Sequence, residues 1–531
     1  MNQVVIYDST LRDGAQAQGV SFTVEDKLKI VQRLDALGIS YIEAGNPGSN
    51  PKDLEFFERV SALRLKHAKI IAFGSTRKVG IKAADDRNLA SLLSAKTDAV
   101  AIFGKSWDYQ VTDILRTTLD ENLNMIADTV AYLKAQGKEV VFDAEHFFDG
   151  YKANPDYALK TLQVAADAGV DVLCLCDTNG GTFPEEVAAI TKKVVQTFTP
   201  KIGKVQIGIH CHNDCEMGVA NSVAAVQAGA TQVQGTINGI GERCGNANLC
   251  SIIPNLQLKL GMSCIPQKNI AELTSAARFV NEIANMTFNE KAPYVGNDAF
   301  SHKGGMHIDA VSKNPISYEH INPQQVGNVR HILVSEVAGR TALLAKINAV
   351  DPSLNKDSDE TKRVLAHLKA LEHEGYQFES AESSFDLLVR RLLGKYEPFF
   401  TLKEYRIGVH ESTMNGASSA ATIRIAVGEH EETATAEGDG PVNALDKAVR
   451  EALERFYPTI KDVKLVDYKV RVLDSDQATA AKVRVLIESA DQRETWTTVG
   501  VSTDIIDASW HAMLDAIEYK LMRDAQNKGA L

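Results

Sequence analysis

From its start to about residue 240 the chain repeats one unit: a short β-branched run, a turn and an amphipathic helix. The runs that read as strands are Val4–Tyr7, Tyr41–Glu43, Ile70–Phe73, Ala99–Phe103, Val140–Asp143, Val172–Cys176, Val205–His210 and Gln232–Ile237. The helices between them have legible ends. Thr23-Val24-Glu25-Asp26 caps a helix whose Leu28, Val31 and Leu34 share one face, and Gly38 stops it. Asn154-Pro155 opens another that ends near Gly169, with proline at a tolerated first-turn position. Strands that alternate with helices predict a parallel sheet. Eight such units in this span fit a closed (β/α)8 TIM barrel better than an open doubly wound sheet, the alternative. In a barrel the site lies on the loops that follow the strands' C-terminal ends.

Beyond residue 250 the pattern changes. Residues 266–385 read as a helical linker or lid region, with a charged stretch at 355–363 that suits a solvated face or loop. The remainder holds an internal repeat: Leu402-Lys403-Glu404-Tyr405-Arg406-Ile407 is echoed by Leu465-Val466-Asp467-Tyr468-Lys469-Val470. Each copy continues through a second strand (Ala421–Val427, Lys482–Ile487), a third, a glycine (Gly438, Gly500) and an amphipathic helix (Ala444–Phe456, Ile506–Leu521). The expected organisation is α/β: a catalytic barrel over 1–265, the linker over 266–385, and a C-terminal α+β regulatory domain over 386–531. Neither copy of the repeat clusters catalytic residue types, which suits an effector-binding or interaction module.

Composition removes several classes of function. With 57 Lys+Arg against 69 Asp+Glu, the net charge of −12 argues against nucleic acid or an anionic membrane as the main partner. The 7 cysteines, all between Cys174 and Cys264, are too few and too clustered for a disulfide scaffold, and fit reduced thiols in a cytoplasmic protein. The first residues show no signal peptide, and no apolar run is long enough for a membrane span.

The candidate chemistry sits where the strand runs end. In His210-Cys211-His212, alternation sends both imidazoles to one face and Cys211 to the other. An isolated H-x-H is more readily a pair of buried, hydrogen-bonded histidines, but at the mouth of a barrel the two nitrogens can share one divalent cation. The first run ends in Asp8-Ser9-Thr10-Leu11-Arg12-Asp13-Gly14. Barrel closure brings it near the seventh and eighth, so Asp13 can reach the same cation. Arg12 adds a permanent charge for an oxyanion or carboxylate, although a surface ion pair is its plainer reading. The eighth run leads into Gly239-Ile240-Gly241-Glu242-Arg243-Cys244-Gly245-Asn246. That is a poor dinucleotide fingerprint, since Cys244 takes the third glycine's place, but the loop can bring Asn246 to the metal. Asp143 and Glu145 share a face, and Thr178 offers a hydroxyl near the same rim. Cys174-x-Cys176 in a buried strand reads as two packed small hydrophobes rather than a metal motif. Downstream, Phe300-Ser301-His302-Lys303-Gly304-Gly305-Met306-His307, followed by Tyr318, suits a segment that closes over a site, or an exposed helix-end histidine.

Taken together, these residues resemble the 2-isopropylmalate, homocitrate and citramalate synthase family over nearly the whole chain. The phrases at 43–53 and 142–151 look most like its long citramalate synthase branch. The resemblance implies a metal-dependent Claisen-type condensation of acetyl-CoA with a 2-oxo acid, pyruvate in that branch, on the way to isoleucine. It implies Asp13, His210, His212 and Asn246 as ligands of Mg²⁺, Mn²⁺ or Zn²⁺. Arg12 then stabilises charge on the 2-oxo acid, and Thr178, a hydroxyl on the rim, is read as a substrate contact. Glu145 is the active-site glutamate, and His307 with Tyr318 serves acetyl-CoA activation. It further implies a homodimer and an amino-acid effector such as isoleucine. The rivals are a synthase using a larger 2-oxo acid, an acyl-CoA lyase on the same barrel, and a non-catalytic ligand sensor.

Overall fold

A computed structural model describes residues 3–48, 51–202, 205–332, 344, 347–348, 350–355, 357–412, 416–473, 480–491 and 494–529. Ser49 and Asn50, inside the phrase at 43–53, lie outside the described residues, as does Lys356 of the charged stretch. The chain forms two compact units: Met1–Phe300 with Ile321–Arg330, and Ser301–His320 with His331–Leu531.

The first unit contains a closed barrel of eight parallel strands in sequence order. They are β1 (Val5–Asp8), β2 (Tyr41–Glu43), β3 (Lys69–Ser75), β4 (Ala99–Lys105), β5 (Glu139–Glu145), β6 (Val172–Asp177), β7 (Gln206–Cys211) and β8 (Gln232–Gly235). Closure comes from β1 pairing with β8, Val5 opposite Gln232 and Asp8 opposite Gly235. All eight strand runs are therefore strands, with ends displaced by no more than two residues. At β8 the strand stops at Gly235, two residues short of the run's end. Beyond it Thr236 Oγ1 donates to the Ile240 carbonyl (2.7 Å) and the Ile237 N–H donates to Thr10 Oγ1 (2.9 Å), so the backbone turns into the loop instead of continuing the ladder.

Local sequence sets the helix ends. Thr23 and Asp26 form a reciprocal capping box on the helix Val24–Leu37, and Gly38 ends it in the left-handed conformation, φ 101°. Asn154 caps Pro155–Asp167 with proline in the first turn. Leu28, Val31 and Leu34 are buried together in the layer between barrel and helices. A smaller cluster fills the barrel itself, with Tyr7, Ile71, Ala99, Ala101, Val141, Val172, Cys174 and Cys176. Cys174 and Cys176 are thus packed side chains of β6. The barrel is a solid core, so ligands can approach only at its rim.

In the second unit, helices Gly305–Lys313, Asp359–Glu374 and Glu382–Leu392 precede two three-stranded antiparallel sheets. Helix Asp359–Glu374 begins inside the charged stretch, whose exposed side chains line its first turn. The sheets are Thr401–Ser412, Gly416–Val427, His430–Gly438, and Lys464–Val472, Val483–Ala490, Thr495–Ser502. Each is followed by one helix, Pro441–Glu454 or Ile505–Gly529. The repeat extends to an irregularity: the first strand of each sheet slips register at the same place, between Leu402 and Glu404 and between Leu465 and Asp467. It also extends to helix packing. A Cβ on Gly438 would lie 2.6 Å from the Ala444 backbone, and one on Gly500 would lie 2.0 Å from the Ala508 carbonyl.

Candidate active site at the barrel rim

At the end of β1, Asp8 ties down the turn that follows, its carboxylate accepting from the Thr10 N–H (3.0 Å) and Thr10 Oγ1 (2.7 Å). The Arg12 and Gly14 N–H groups then fold back onto the Ser9 carbonyl, which presents Arg12 and Asp13 at the rim. From the opposite side of the closure, β7 delivers His210. His212 lies one residue past the strand's end and is held by a bridge to Asn246. His210 Nε2 and His212 Nε2 are 3.5 Å apart, and Asp13 Oδ2 lies 3.7 Å from the first and 4.0 Å from the second. Two ligand nitrogens and a carboxylate oxygen so spaced fit around one cation bound at ~2.0–2.2 Å.

The loop after β8 completes the group, and its glycines explain how. Gly245 sits at φ 90°, where a Cβ would lie 2.1 Å from the Gly239 carbonyl; a Cβ on Gly241 would lie 2.1 Å from Asn246 Nδ2. Only this composition lets the Asn246 amide lie against Asp13, to whose Oδ1 it donates at 3.0 Å. Asn246 Oδ1 is then left buried without a hydrogen-bond partner. A buried orphan carbonyl is costly unless something electropositive meets it, and a cation held by Asp13, His210 and His212 would meet it. Hard oxygen donors mixed with imidazole suit Mg²⁺, Mn²⁺ or Zn²⁺ alike.

The electrostatics favour the binding form of each candidate ligand. Burial pushes the Asp13 carboxyl up, but the Arg12 guanidinium and both imidazoles outweigh it and hold the group at about 2. Burial, then the neighbouring His210, lowers His212 to about 4, while burial lowers His210 against the pull of Asp13. At neutral pH the site therefore presents a carboxylate and two neutral imidazoles.

Arg12 is fixed by a residue to which sequence reasoning assigned no role. Glu43, fully buried at the end of β2, accepts from Arg12 Nε (2.6 Å), from Tyr7 Oη (2.7 Å) and from Ser9 Oγ. Arg12 Nη1 donates to Asp13 Oδ2 (2.9 Å), and its guanidinium carbon lies 3.8 Å from the centre of the Phe73 ring. Glu43 belongs to the run Tyr41–Glu43, so a charged residue at a barrel strand's C-terminal end was the available signal.

Glu145, at the end of β5, pairs with Lys105 at the end of neighbouring β4. Thr178 Oγ1 accepts from the His146 N–H (2.8 Å), and the Thr178 carbonyl accepts from Arg243 (2.7 Å). These two residues lie on the rims of β5 and β6, and no hydrogen bond joins them to Asp13 or the imidazoles among the described residues. His307 and Tyr318 belong to the second unit. There their rings stack with centroids 3.9 Å apart and planes at 23°, and nearby His302 Nε2 lies 3.1 Å from Glu319 Oε1.

Comparison with known proteins covers almost the whole chain. Residues 3–280 match the HMGL-like family, 294–376 the homocitrate synthase post-HMGL domain-like family, and 379–521 the LeuA allosteric (dimerisation) domain. The (R)-citramalate synthase of Aquifex aeolicus (strain VF5) is 53% identical over 525 residues, spanning 99% of this chain and 99% of the relative. That of Geobacter sulfurreducens is 51% identical across 100% of both chains. That of Synechocystis sp. (strain ATCC 27184 / PCC 6803 / Kazusa) is 51% identical across 97% of this chain and 96% of its own. An HMGL-like barrel continued by a LeuA-type C-terminal portion, with full-length relatives at 51–53% identity, places the chain in the citramalate synthase family of LeuA-type enzymes.

Proposed function

We propose that the chain condenses acetyl-CoA with pyruvate and hydrolyses the thioester, yielding citramalate and CoA, with the barrel rim as its active site. The observation that carries this reading is the meeting of Asp13, His210, His212 and the orphan Asn246 Oδ1 beside Arg12. The relatives at 51–53% identity support pyruvate as the 2-oxo acid over a larger one.

A bound divalent cation supplies Lewis acidity and a template for a 2-oxo acid. The chain's own groups do the rest. Asp13, His210, His212 and Asn246 hold the ion, with the carboxylate balancing its charge. A base takes a proton from the acetyl methyl, the resulting carbanion attacks the ketone carbon, and water then cleaves the thioester to release CoA. Arg12, aimed by Glu43 and flattened on Phe73, steadies the negative charge that gathers on the ketone oxygen. Thr178 contacts the 2-oxo acid, and Glu145, its charge set against Lys105, is assigned to the chemical step. His307, its ring oriented by the stack on Tyr318, is assigned to acetyl-CoA activation.

The wider assignment follows the same division. We place catalysis in 1–265, the linker in 266–385 and regulation in 386–531. The two-copy C-terminal repeat serves a homodimeric, cytoplasmic enzyme of branched-chain amino-acid biosynthesis as the site for an end-product amino acid, isoleucine. Among the described residues no helix is long and apolar enough to cross a membrane.

The test is release of free CoA thiol from acetyl-CoA by the chelated and the cation-loaded chain, with pyruvate, 2-oxobutyrate, 2-oxoisovalerate and 2-oxoglutarate. Release that requires cation and is fastest with pyruvate is expected. Fastest turnover with a bulkier keto acid would overturn the substrate, and no thiol release with any of them would overturn the reading.

A further inference from the structure

Two buried polar side chains inside the barrel take no part in the chemistry above. Gln234 of β8 and Asp143 of β5 both lie behind the candidate ligands, and Gln234 is in register with His210 of β7. Gln234 Nε2 donates to Asp143 Oδ1 at 3.0 Å, and Gln234 Oε1 lies 3.1 Å from His210 Nδ1.

The sense of this chain of contacts follows from what each group can offer. A primary amide occupies nearly the same space when turned end for end, so its partners decide which end is the donor. The Asp143 carboxyl offers an acceptor, which draws the amide nitrogen and leaves the amide oxygen facing the imidazole. An acceptor at Nδ1 selects the tautomer with its proton there. The lone pair is then on Nε2, the atom that faces His212 and Asp13. With the amide reversed, its NH₂ would face Nδ1 and the ring proton would move to Nε2, in the place a cation must take.

We propose that Asp143 and Gln234 are positioning residues for the cation: Asp143 fixes the sense of the Gln234 amide, and the amide commits His210 Nε2 to the ion. The proposal rests on the reading of Asp13, His210, His212 and Asn246 as a cation site, and goes beyond it by assigning two residues that touch neither ion nor substrate.

The experiment titrates the chelated full-length chain with Mn²⁺ by calorimetry and records the melting temperature of each chelated variant as the check on folding. Gln234→Leu, which fills the space and removes both contacts, is expected to weaken Mn²⁺ binding ~10–100-fold with the melting temperature held. Asp143→Leu is expected to weaken it in the same direction, and stands in should Gln234→Leu not fold. Asp143→Asn keeps the shape and, in one of its two orientations, the carbonyl acceptor, and is expected to recover part of the affinity that Asp143→Leu loses. If the wild-type chain binds Mn²⁺ and Gln234→Leu binds it equally well, the proposal is overturned while the cation site stands. Equal weakening by Asp143→Asn and Asp143→Leu would overturn the part given to Asp143. A wild-type chain that binds no divalent cation would overturn the site itself, and the proposal with it.

Discussion

Arg12 shows how a single side chain is prepared before substrate arrives. Two of its nitrogens are already engaged by Glu43 and Asp13, and its flat face lies on Phe73. Among the described residues its third nitrogen, Nη2, carries no hydrogen bond, and a rigid fork with one open position is suited to an oxygen that gains charge only as the reaction proceeds. A donor preorganised in this way acts on the transition state more than on the bound ground state. Arg12→Ala is therefore expected to lower kcat ~10²–10³-fold while the KM for pyruvate changes far less. Steady-state kinetics with cation saturating measures both, and a change confined to KM would contradict the assignment. The variant also leaves Glu43 buried without its cation partner, so its melting temperature is needed to separate lost chemistry from lost fold.

At the scale of elements, the helix–strand spacing over the first 240 residues carries most of the fold, because each hydrophobic run is bounded by a turn or cap with its own mechanism. Thr23, Gly38 and Asn154 act where the sequence places them. Less legible is what depends on closure. Glu43 lies 31 residues from Arg12, and nothing local marks it as the guanidinium's partner. The Asn246–Asp13 contact spans 233 residues and depends on two glycines whose backbone fits only once the loop is folded. The early end of β8 likewise needs Thr10 from the first strand's loop. The C-terminal repeat was visible as an echo of six residues, but not its consequence that Gly438 and Gly500 both let a helix touch a strand. Gly500→Ala is expected to destabilise the chain by about 1–3 kcal/mol, since its methyl would meet the Ala508 carbonyl at 2.0 Å. Gly440→Ala, where nothing lies within 4 Å of the added carbon, is expected to cost much less. Urea unfolding of the two variants decides it, and equal losses would remove the packing argument.

For the whole molecule the cation site is a link between ligand binding and stability. A chain of net charge −12 gathers one carboxylate and two neutral imidazoles around a single point, and an ion that binds only the folded chain stabilises it by ~2.7 kcal/mol at a hundredfold excess over Kd. The pH dependence of that gain has a definite sign. Both histidines are lowered in the folded chain, His212 to about 4, so the unfolded chain takes up their protons at about pH 6.5 while the folded chain refuses them. The contribution of His212 to stability is therefore complete above that pH, and is lost as pH falls through the window down to about 4; that of His210 has the same sign. The cation competes with protons only where the folded imidazoles titrate, and Asp13, held at about 2, stays ionised throughout. The difference in melting temperature between cation-loaded and chelated chain, at fixed free-ion activity, should thus persist below the pH of about 6.5 at which ordinary histidines protonate and shrink as pH falls toward about 4, where His212 protonates. Histidines at the ordinary value would instead make the difference shrink as soon as pH falls below about 6.5. Paired melting curves taken with Mn²⁺ and with chelator across that range distinguish the two, and an early decline would mean that the folded barrel does not hold its imidazoles neutral.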